Sequence, residues 1–518
     1  MPLAGNVHRH ARERPEEAAV AIGGGMLTWR ELDAQAARLA GGLGAVPPRE
    51  GAARAICPPG GRLTAILLEN GTAFAELFVG ATQSPHVCAV LDPKWPPALV
   101  ADVLRRLEPD LLVVDGAYAT KDVQDASSGL VLSTASPEGD GASYESWLSA
   151  QDPIEDSPEG ADDEPFAIIF TSGTTSTPKA IRRLRRSWRA SMSAGAELFG
   201  LQPDRPALAP GPLVHGLTHY ALAEQLRAGA TFHGLPRFDG PSAVAALRDA
   251  PIRRLVVVPT MLDAICRAAS ETSTILGGVD AIVTAGAKLD DDLGARARHI
   301  FPRALLIEYY GASELGFVTV AMDGDDGRNA GVGRPFPGVE LAIGTRDGLT
   351  RAPDVAGTVM VRSPLVSAGY LWDDDGVGFR VEQGWATVGD MGRLDETGAL
   401  HLLGREGGMI LTGGHNVFPG EIEAALLAIP GVDQAVVLGL PDAYLGQVVV
   451  AALSGPALEA RTASEILALC AGTLPRYKLP RRLFAVRDWP LTRSGKIARG
   501  TLETWIVETD ARVAPLQP

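Results

Sequence analysis

The sequence predicts an α/β fold, because short apolar runs typical of buried strands alternate with helical patterns along most of its 518 residues. From about residue 331 to residue 403 the pattern changes to short β-like segments punctuated by glycine. From about residue 404 onward, helical and strand patterns again alternate. We therefore predict a large N-terminal domain of two α/β subdomains plus a small β-barrel, followed by a small α+β C-terminal domain.

Local patterns place individual elements within this plan. Thr28 is a favourable N-cap for the alanine-rich helical pattern that follows it. Residues 136–164 are rich in acidic residues, glycine, proline and serine, so we expect an exposed connection between the subdomains. Buried strands are predicted at residues 65–68, 111–114, 167–170, 255–258, 281–283, 304–307 and 434–438, and a helix at residues 421–427.

Composition excludes several classes of protein. With 46% hydrophobic and 21% charged residues, the chain has the composition of a globular protein and not of a disordered one. We expect no membrane span, because no run approaches the roughly 18 apolar residues that a spanning helix needs. The net charge of −15 disfavours a nucleic-acid partner, since a polyanion would be repelled. The first ten residues lack the apolar core of a secretion signal, and the four cysteines form no CxxC pair. We expect a cytoplasmic monomer or homodimer.

The strand predicted at residues 167–170 leads into a loop of hydroxyl groups, one glycine and a lysine. Side-chain hydroxyls and backbone N–H groups in such a loop can surround a polyphosphate, and a lysine adds a point charge. The pattern is not that of a Walker loop, since no GK[ST] follows a GxxxxG. An ordinary polar turn is the alternative interpretation of this loop on its own. The residues concerned are Thr171, Ser172, Gly173, Thr174, Thr175 and Lys179.

Further motifs follow in a fixed order, at residues 308–314, 388–390, 404–405 and 490–499. Together with the loop at 171–179 and shorter motifs at 91–93, 258–260, 333–335 and 479–480, this set resembles the ANL superfamily. That superfamily comprises acyl-CoA synthetases, peptide-synthetase adenylation domains and firefly-type luciferases, and the resemblance covers nearly the whole chain. It implies an adenylate-forming domain at residues 1–404, with its barrel-like part at about 331–403, and a mobile C-terminal domain at residues 405–518.

The resemblance implies a reaction in two steps. A carboxylate attacks the α-phosphate of ATP to give an acyl-adenylate and pyrophosphate, and a thiol then displaces AMP. Lys496 matches the lysine that bridges the reacting carboxylate and phosphate oxygens. Glu314 matches the Mg²⁺ ligand, with Thr171 as a second metal contact. Because two anions must meet, Mg²⁺ and Lys496 would offset their repulsion. The implied cofactors are ATP, Mg²⁺ and CoA.

The same resemblance implies which residues hold the nucleotide. Tyr310 matches the aromatic residue that stacks on adenine, and Ser313 matches the hydroxyl at the α-phosphate. Asp390 matches the carboxylate that holds the ribose hydroxyls, and Arg405 the arginine near ribose and phosphate. The other predicted nucleotide contacts are Gly286, Ala287, Glu308, Tyr309, Gly311 and Ala312.

The segment at residues 211–216 resembles acyl- and aryl-CoA synthetases, in which a histidine at the position of His215 lies at the rim of the substrate pocket. A packed histidine is the alternative interpretation. Amino-acid-activating relatives place an aspartate near here, and its absence from this sequence disfavours an α-amino-acid substrate. Gly413 and Gly414 match a loop beside the thiol tunnel, and Gly407 occupies the hinge position. The predicted pocket residues are His215, His219, Ala285, Gly286, Leu315 and Gly316.

A basic run follows the loop lysine and is predicted to begin a helix. One interpretation is a solvated helix face; the other is a docking site for the phosphates of CoA or for an acidic carrier protein. The residues are Arg182, Arg183, Arg185, Arg186 and Arg189.

These motifs leave several functions open. The leading hypothesis is an ATP-dependent, AMP-forming ligase that joins a small-molecule aryl or fatty acid to a thiol, with CoA as the acceptor. A second hypothesis transfers the acyl group to a separate acyl carrier protein. A third uses the adenylation step without a thiol, either for amine ligation or for nitrite activation that diazotises an aromatic amine. A catalytically silent binding module is disfavoured, because Glu314, Asp390, Arg405 and Lys496 are all retained.

Overall fold

A computed structural model describes most of the chain, and the predicted α/β architecture is confirmed. The described residues are 3–49, 51, 55–134, 142–155, 160–171, 178–289, 291–323, 331–372, 378–408, 410–412, 415–442, 445–471, 474, 476–491 and 497–517. The chain forms two compact units. Unit 1 comprises Met1–Glu340 and Val361–Ala386, and unit 2 comprises Leu341–Met360 and Thr387–Pro518. The domain boundary after residue 404, and the mobility of the segment that follows it, remain predictions.

The helices of unit 1 surround two sheets. Helix α2 begins as predicted, because Thr28 forms a capping box in which its Oγ1 accepts from the N–H of Glu31 and the Glu31 carboxylate accepts from the N–H of Thr28. The helices are α1 (Ala4–Glu13), α2 (Trp29–Ala45), α3 (Thr72–Ala81), α4 (Pro97–Leu107), α5 (Lys121–Ala126), α6 (Tyr144–Ser149), α7 (Arg185–Leu198), α8 (Gly216–Ala228), α9 (Gly240–Asp249), α10 (Pro259–Glu271) and α11 (Asp291–Ile300).

The strands of unit 1 include every buried strand predicted before residue 310. In chain order they are β1 (Ala18–Ile22), β2 (Gly25–Thr28), β3 (Leu63–Leu67), β4 (Val87–Val90), β5 (Leu111–Val114), β6 (Leu130–Ser133), β7 (Ala142–Ser143), β8 (Pro165–Thr171), β9 (Lys179–Leu184), β10 (Ala207–Leu208), β11 (Phe232–Gly234), β12 (Arg254–Val257), β13 (Ala281–Ala285), β14 (Leu305–Ala312), β15 (Gly316–Met322) and β16 (Arg334–Pro335).

These strands form two mostly parallel sheets, which correspond to the two predicted subdomains. Sheet I has the order β7-β6-β5-β3-β4-β8-β9, and only its last pair, β8 with β9, is antiparallel among the described pairings. Sheet II has the order β16-β15-β14-β13-β12-β10-β11-β1-β2, with parallel strands from β14 to β1. Strands β3, β4 and β5 are buried along their whole length, as expected where helices cover both faces of a parallel sheet.

Two local predictions in unit 1 are wrong. The segment 136–164 is not simply an exposed connection, because helix α6 lies in it and buries Tyr144 and Leu148. These two apolar residues are four positions apart, which is a one-turn amphipathic signal inside a polar composition. The basic run does not begin as a helix: Arg182 and Arg183 belong to the edge strand β9, and α7 starts at Arg185.

The predicted β-rich segment lies partly in unit 1 and partly in unit 2. The strands of this segment are β17 (Glu340–Thr345), β18 (Gly348–Thr350), β19 (Gly357–Arg362), β20 (Arg380–Glu382), β21 (Trp385–Thr387), β22 (Asp390–Leu394) and β23 (Leu400–Arg405). Within unit 2, β17 pairs with β18, β22 pairs with β23, and the start of β19 pairs with β22, all antiparallel. Among the described residues these pairings do not close into a barrel.

The rest of unit 2 is a six-stranded sheet with helices on its faces. Strand β27 lies at its centre, antiparallel to β26 and parallel to β28. Separate apolar clusters cover its two faces, one containing Ile422 of α12 and the other Leu502 of α15. The elements are β24 (Ile410–Thr412), β25 (His415–Val417), α12 (Pro419–Leu427), β26 (Gln434–Asp442), β27 (Gly446–Ser454), α13 (Ala457–Ala460), α14 (Ala463–Ala471), β28 (Arg482–Val486), α15 (Arg499–Glu508) and β29 (Val513–Pro515).

The helices in the described part of the chain include none with the length and apolar character that crossing a bilayer requires.

Candidate active site

The predicted site residues of unit 1 gather where parallel strands end. Gly286 and Ala287 follow β13 and are exposed, and the segment 308–312 forms the carboxyl end of the neighbouring strand β14. In sheet I, Thr171 ends β8, and Asp92 lies just beyond the end of the adjacent strand β4. Ligands of open α/β sheets bind outside these carboxyl ends, so the fold itself directs attention to this edge of both sheets.

The two tyrosines of β14 point in different directions. The ring of Tyr309 packs against Phe317 and Phe199, with ring centroids 4.8 and 6.2 Å away, and burial raises the pKa of its phenol. Because successive residues of a strand face opposite sides of the sheet, Tyr310 is directed away from this aromatic cluster. Tyr310 is therefore the better placed of the two to stack on a base. A nucleotide contact by Tyr309 would involve its main chain.

The turn between β14 and β15 carries the predicted α-phosphate and metal residues, Ser313 and Glu314. Glu314 is buried, and its carboxylate accepts a hydrogen bond from the hydroxyl of Tyr370 at 2.7 Å. Its carbonyl accepts from the N–H of Ser367 at 2.8 Å. The turn closes at Gly316, whose φ of +75° favours glycine and where a Cβ would lie 2.9 Å from the Cβ of Leu365. The backbone around Glu314 is thus held from the side of residues 365–370.

Tyr370 links the turn to the predicted phosphate lysine. Its segment runs beside β9, where Tyr370 bridges to Ile181 and the N–H of Leu371 donates to the carbonyl of Ala180 at 2.8 Å. The ammonium of Lys179 lies over the Tyr370 ring, 4.9 Å from the centroid. A line of contacts therefore runs from Lys179 through Tyr370 to Glu314. Tyr370 is absent from the predicted site residues, because nothing local to residues 366–372 signals a contact with residue 314.

Glu308, a predicted nucleotide contact, is buried on β14. Its carboxylate accepts a hydrogen bond from the N–H of Leu289 at 3.2 Å. The carboxylate thereby holds the chain that follows Gly286 and Ala287 against β14. Through this bond Glu308 can shape the edge at which a nucleotide is expected.

Two residues of the basic run, Arg183 and Arg185, are buried and have structural partners. For these two residues the structure contradicts both interpretations, a solvated helix face and a docking site. Arg185 is 1% exposed and donates to the carbonyls of Thr82 and His86 and to the carboxylate of Glu164. Arg183 is also buried and donates to the carbonyl of Ser313 at 3.2 Å. Burial lowers the pKa of Arg183 to about 10, so its guanidinium stays charged at neutral pH.

His215 lies at the start of α8 with its side chain 42% exposed, as expected for a residue at a pocket rim. Its Nε2 is 3.6 Å from a carboxylate oxygen of Asp92, so residues from the two sheets meet here. Burial raises the pKa of Asp92, but the stronger combined effect of His215 and the N–H and charge of Lys94 lowers it below its usual value.

Asn70, which sequence reasoning missed, anchors the segment before His215. Its amide donates to the carbonyls of Gly211 and Leu235, both at 2.8 Å, and its oxygen accepts from the N–H of Leu213 at 2.7 Å. Two of these bonds fix the backbone that leads to His215, and the third ties it to the end of β11.

The remaining predicted pocket residues differ in exposure. Gly286 is exposed and Gly316 half-buried, whereas Ala285 and Leu315 are buried. His219 is 1% exposed, and its ring lies 4.0 Å from that of Phe78 and 5.8 Å from that of Trp188. Among the described residues neither of its ring nitrogens has a hydrogen-bond partner, and burial lowers its pKa to about 3. A contact between His219 and substrate remains a prediction.

Unit 2 brings together its two predicted nucleotide residues. Asp390 and Arg405 are paired across β22 and β23, and the Arg405 Nε donates to the Asp390 carboxylate at 2.9 Å. The Arg405 side chain is 71% exposed, so it can still meet a phosphate or ribose. Gly407, at the predicted hinge, lies in a short 3₁₀ turn, Glu406–Gly408.

Several predicted residues lie outside the described part of the chain. They are Ser172, Gly173, Thr174 and Thr175 of the phosphate loop, Gly413 and Gly414 of the thiol tunnel, and Lys496. The backbone of Thr171 ends β8 opposite Lys179. The roles of all these residues remain predictions.

The side chains of the candidate site suit Mg²⁺ better than a metal ion whose ligands all come from the protein. The described residues contain no group of three or more His, Cys, Asp or Glu side chains able to hold a metal ion. Mg²⁺ in nucleotide sites needs only one or two carboxylates, because substrate phosphates and water supply its other ligands. The carboxylate of Glu314 satisfies that requirement. Tyr370 contacts both this carboxylate and Lys179, whose charge could contact the phosphates.

Family models and sequence relatives cover most of the chain. The model of the AMP-binding enzyme family matches residues 7–371, and the model of the AMP-binding enzyme C-terminal domain matches residues 421–496. The chain is 35% identical over 449 residues to an uncharacterized acyl-CoA ligase, YhfT, of Bacillus subtilis, covering 86% of this chain and 88% of that protein. It is 30% identical over 517 residues to the indoleacetate–CoA ligase of Aromatoleum aromaticum, covering 96% and 97% of the two chains.

Solved structures share the fold. ATP-bound MatB from Rhodopseudomonas palustris superposes with a TM-score of 0.82 at 24% identity, over 97% of this chain and 99% of that one. The amide bond synthetase McbA from Marinactinospora thermotolerans gives a TM-score of 0.83 at 26% identity, also over 97% and 99%. With a family model matching more than half of the residues and relatives aligned over nearly the whole length, the chain belongs to the AMP-binding enzyme family of the ANL superfamily of adenylate-forming enzymes.

Proposed function

We propose that this protein is an ATP-dependent, AMP-forming ligase that adenylates an aryl or fatty acid and transfers the acyl group to the thiol of CoA. The observation that carries this proposal is the line of contacts from Lys179 through Tyr370 to Glu314. It connects a cation with a carboxylate that could bind a metal ion, and that carboxylate is next in sequence to Ser313. A triphosphate needs this combination of charges.

In the first step a carboxylate oxygen of the acid attacks the α-phosphorus of ATP. The new bond joins that oxygen to phosphorus, the bond from the α-phosphorus to the bridging oxygen breaks, and pyrophosphate leaves with its electron pair. Lys179 supplies positive charge to the phosphates, Ser313 offers a hydroxyl to the α-phosphate, and Tyr310 stacks on the adenine. Bound Mg²⁺ would supply charge neutralisation of the phosphate oxygens, held by Glu314.

Lys496 is proposed to act on the same step by bridging the acid and phosphate oxygens. A preorganised charge of this kind typically contributes about 3–4 kcal/mol, which corresponds to about 10²–10³ in rate. Asp390, whose carboxylate is already oriented by Arg405 at 2.9 Å, is proposed to hold the ribose hydroxyls.

In the second step the sulfur of the thiol attacks the acyl carbon and its proton passes to solvent. The bond between the acyl carbon and the phosphate oxygen breaks, and AMP leaves. His215, half-exposed and set against Asp92, is proposed to orient the acid at the rim of its pocket. The names of the two relatives, an acyl-CoA ligase and the indoleacetate–CoA ligase, support both the acid and the CoA.

An amine acceptor is the second candidate. The amide bond synthetase McbA, at 26% identity and a TM-score of 0.83, supports it, because the same adenylate could be attacked by nitrogen in place of sulfur. Transfer to a carrier protein and activation of nitrite are further outcomes that one product analysis separates.

The test is product analysis with purified protein, Mg-ATP and a panel of aryl, fatty and small inorganic acids. Each acid is supplied with CoA, with an aromatic amine, with an acyl carrier protein or with no acceptor, and products are identified by mass spectrometry. The proposal predicts AMP and an acyl-CoA, and the matched variant Glu314→Gln should lose both. An amide, or turnover that needs an amine but no thiol, would replace it with the second candidate. An acyl-carrier protein product, or a diazotised amine formed from nitrite, would contradict CoA as the acceptor.

A further inference from the structure

Arg183 is a buried cation whose partner belongs to the candidate site. It sits on edge strand β9 of sheet I, yet its Nη1 donates to the carbonyl of Ser313 at 3.2 Å, in the turn that ends β14 of sheet II. Its side chain is buried, and the groups whose electrostatic effect favours its charged form are Tyr220 and Glu314. One guanidinium therefore connects the two sheets at the residues predicted to contact the α-phosphate and the metal.

Burying a guanidinium is unfavourable unless polar or charged groups compensate for the lost water. Here the compensating groups include the Ser313 carbonyl dipole and the Glu314 carboxylate. Arg185, two residues further along the chain, offers an internal contrast. It is equally buried, but its partners are the carbonyls of Thr82 and His86 and the carboxylate of Glu164, which have no place in the candidate site.

We propose that Arg183 is a positioning residue for Mg-ATP, which orients the peptide between Ser313 and Glu314 so that hydroxyl and carboxylate meet the same triphosphate. The proposal rests on the adenylation chemistry above, but only on its nucleotide-binding part. A bond to the Ser313 carbonyl restricts rotation of that peptide, so the Ser313 hydroxyl and the Glu314 carboxylate keep their orientation before the nucleotide binds. Tyr370 holds the Glu314 side chain from the other direction, at 2.7 Å.

The experiment measures Mg²⁺-dependent ATP binding by calorimetry, with no acid present, so that the readout does not depend on turnover. The variants are Arg183→Met, which removes the charge, and Arg183→Lys, which keeps the charge but not the planar fork. Arg183→Met should raise the Mg²⁺ concentration for half-maximal ATP binding about tenfold or more, because the hydrogen bond that orients the peptide between Ser313 and Glu314 is lost. Arg183→Lys should give a smaller shift of the same sign.

Arg185→Lys is the matched control for a merely structural role. It should lower the unfolding temperature while leaving the Mg²⁺ dependence of ATP binding within about twofold of the wild type, since a structural bond elsewhere does not touch the site. The exposed Arg186→Gln should change neither quantity.

Unchanged Mg²⁺ dependence in folded Arg183→Met would overturn the proposal, and so would an equal shift in Arg185→Lys. If Arg183→Met does not fold, Arg183→Lys decides the question by the same titration, with no shift counting against the proposal. Failure of the proposed ligase function is seen separately: the wild type would bind Mg-ATP but release no pyrophosphate with any acid.

Discussion

Replacing Tyr370 with phenylalanine tests the link between Lys179, the predicted phosphate contact, and Glu314, the predicted metal ligand. The variant removes one hydroxyl, which donates to Glu314 at 2.7 Å, and keeps the ring over which the Lys179 ammonium lies at 4.9 Å. Because Glu314 is buried, water replaces the lost donor poorly. We expect a Glu314 carboxylate that is less well oriented and less well stabilised, in a protein that is otherwise folded.

The magnitude follows from the type of bond. A hydrogen bond to a charged group contributes about 1.5–3 kcal/mol, and each 1.4 kcal/mol is about a factor of ten. The lower end applies if the carboxylate finds another donor after the substitution, so kcat/KM for Mg-ATP should fall at least about tenfold. The lysine should be affected little, since its contact is with the face of the ring.

The assay is steady-state pyrophosphate release at varied Mg²⁺, with unfolding followed in parallel. Tyr144→Phe is the control, because it deletes a buried tyrosine hydroxyl on helix α6, which packs against α2, β6 and β7. Tyr370→Phe with wild-type kcat/KM and wild-type Mg²⁺ dependence would refute the reasoning that Tyr370 positions Glu314.

Three further predictions concern charge and burial. Burial raises the pKa of Glu76 from 4.5 to about 7, so the folded state keeps a proton that the unfolded chain releases. The contribution of this group to stability should fall by about 3 kcal/mol between about pH 4.5 and 7, and urea unfolding should show Glu76→Gln gaining stability relative to the wild type over that range. Burial lowers the pKa of His219 from 6.5 to about 3, so the contribution of this group to stability should fall as pH drops below about 6.5. In the same assay, His219→Phe should gain stability relative to the wild type as the pH is lowered. Asp92→Asn should raise the KM for the acid about three- to tenfold, because the variant loses the charge that lies against His215, while the KM for Mg-ATP stays constant. Initial-rate kinetics with each substrate varied measures both constants, and an equal change in the two would contradict this prediction.

Most of the fold was predictable because burial leaves a local mark on sequence. Runs such as 111–114 and 281–283 are apolar on both faces, as strands of a covered parallel sheet must be, and the structure contains β5 and β13 there. Edge strand β9 was not predicted, because its buried positions include Arg183 and charged residues hide the alternation. Helix α6 was missed for a similar reason, since a single apolar pair in a polar segment is a weak signal.

Whether a residue of the candidate site could be predicted also depends on whether its signal is local in the sequence. Residues on strand ends and turns, such as Tyr310 and Glu314, belong to continuous motifs, so the sequence alone suggests them as site residues. Their supports could not, because each is a tertiary contact between distant residues. Tyr370 is 56 positions from Glu314, and Arg183 is 130 positions from Ser313. Asn70 likewise fixes the segment before His215 from 141 to 143 residues away.

The central claim is that this protein adenylates a carboxylic acid. Its most direct test is acid-dependent exchange of labelled pyrophosphate into ATP with no acceptor present, in the wild type and in Lys496→Ala. The account predicts exchange that requires both Mg²⁺ and an accepted acid, and a loss of about 10²–10³ in the variant. Folded wild-type protein that binds Mg-ATP but shows no exchange across the acid panel, or a variant that exchanges at the wild-type rate, would contradict it.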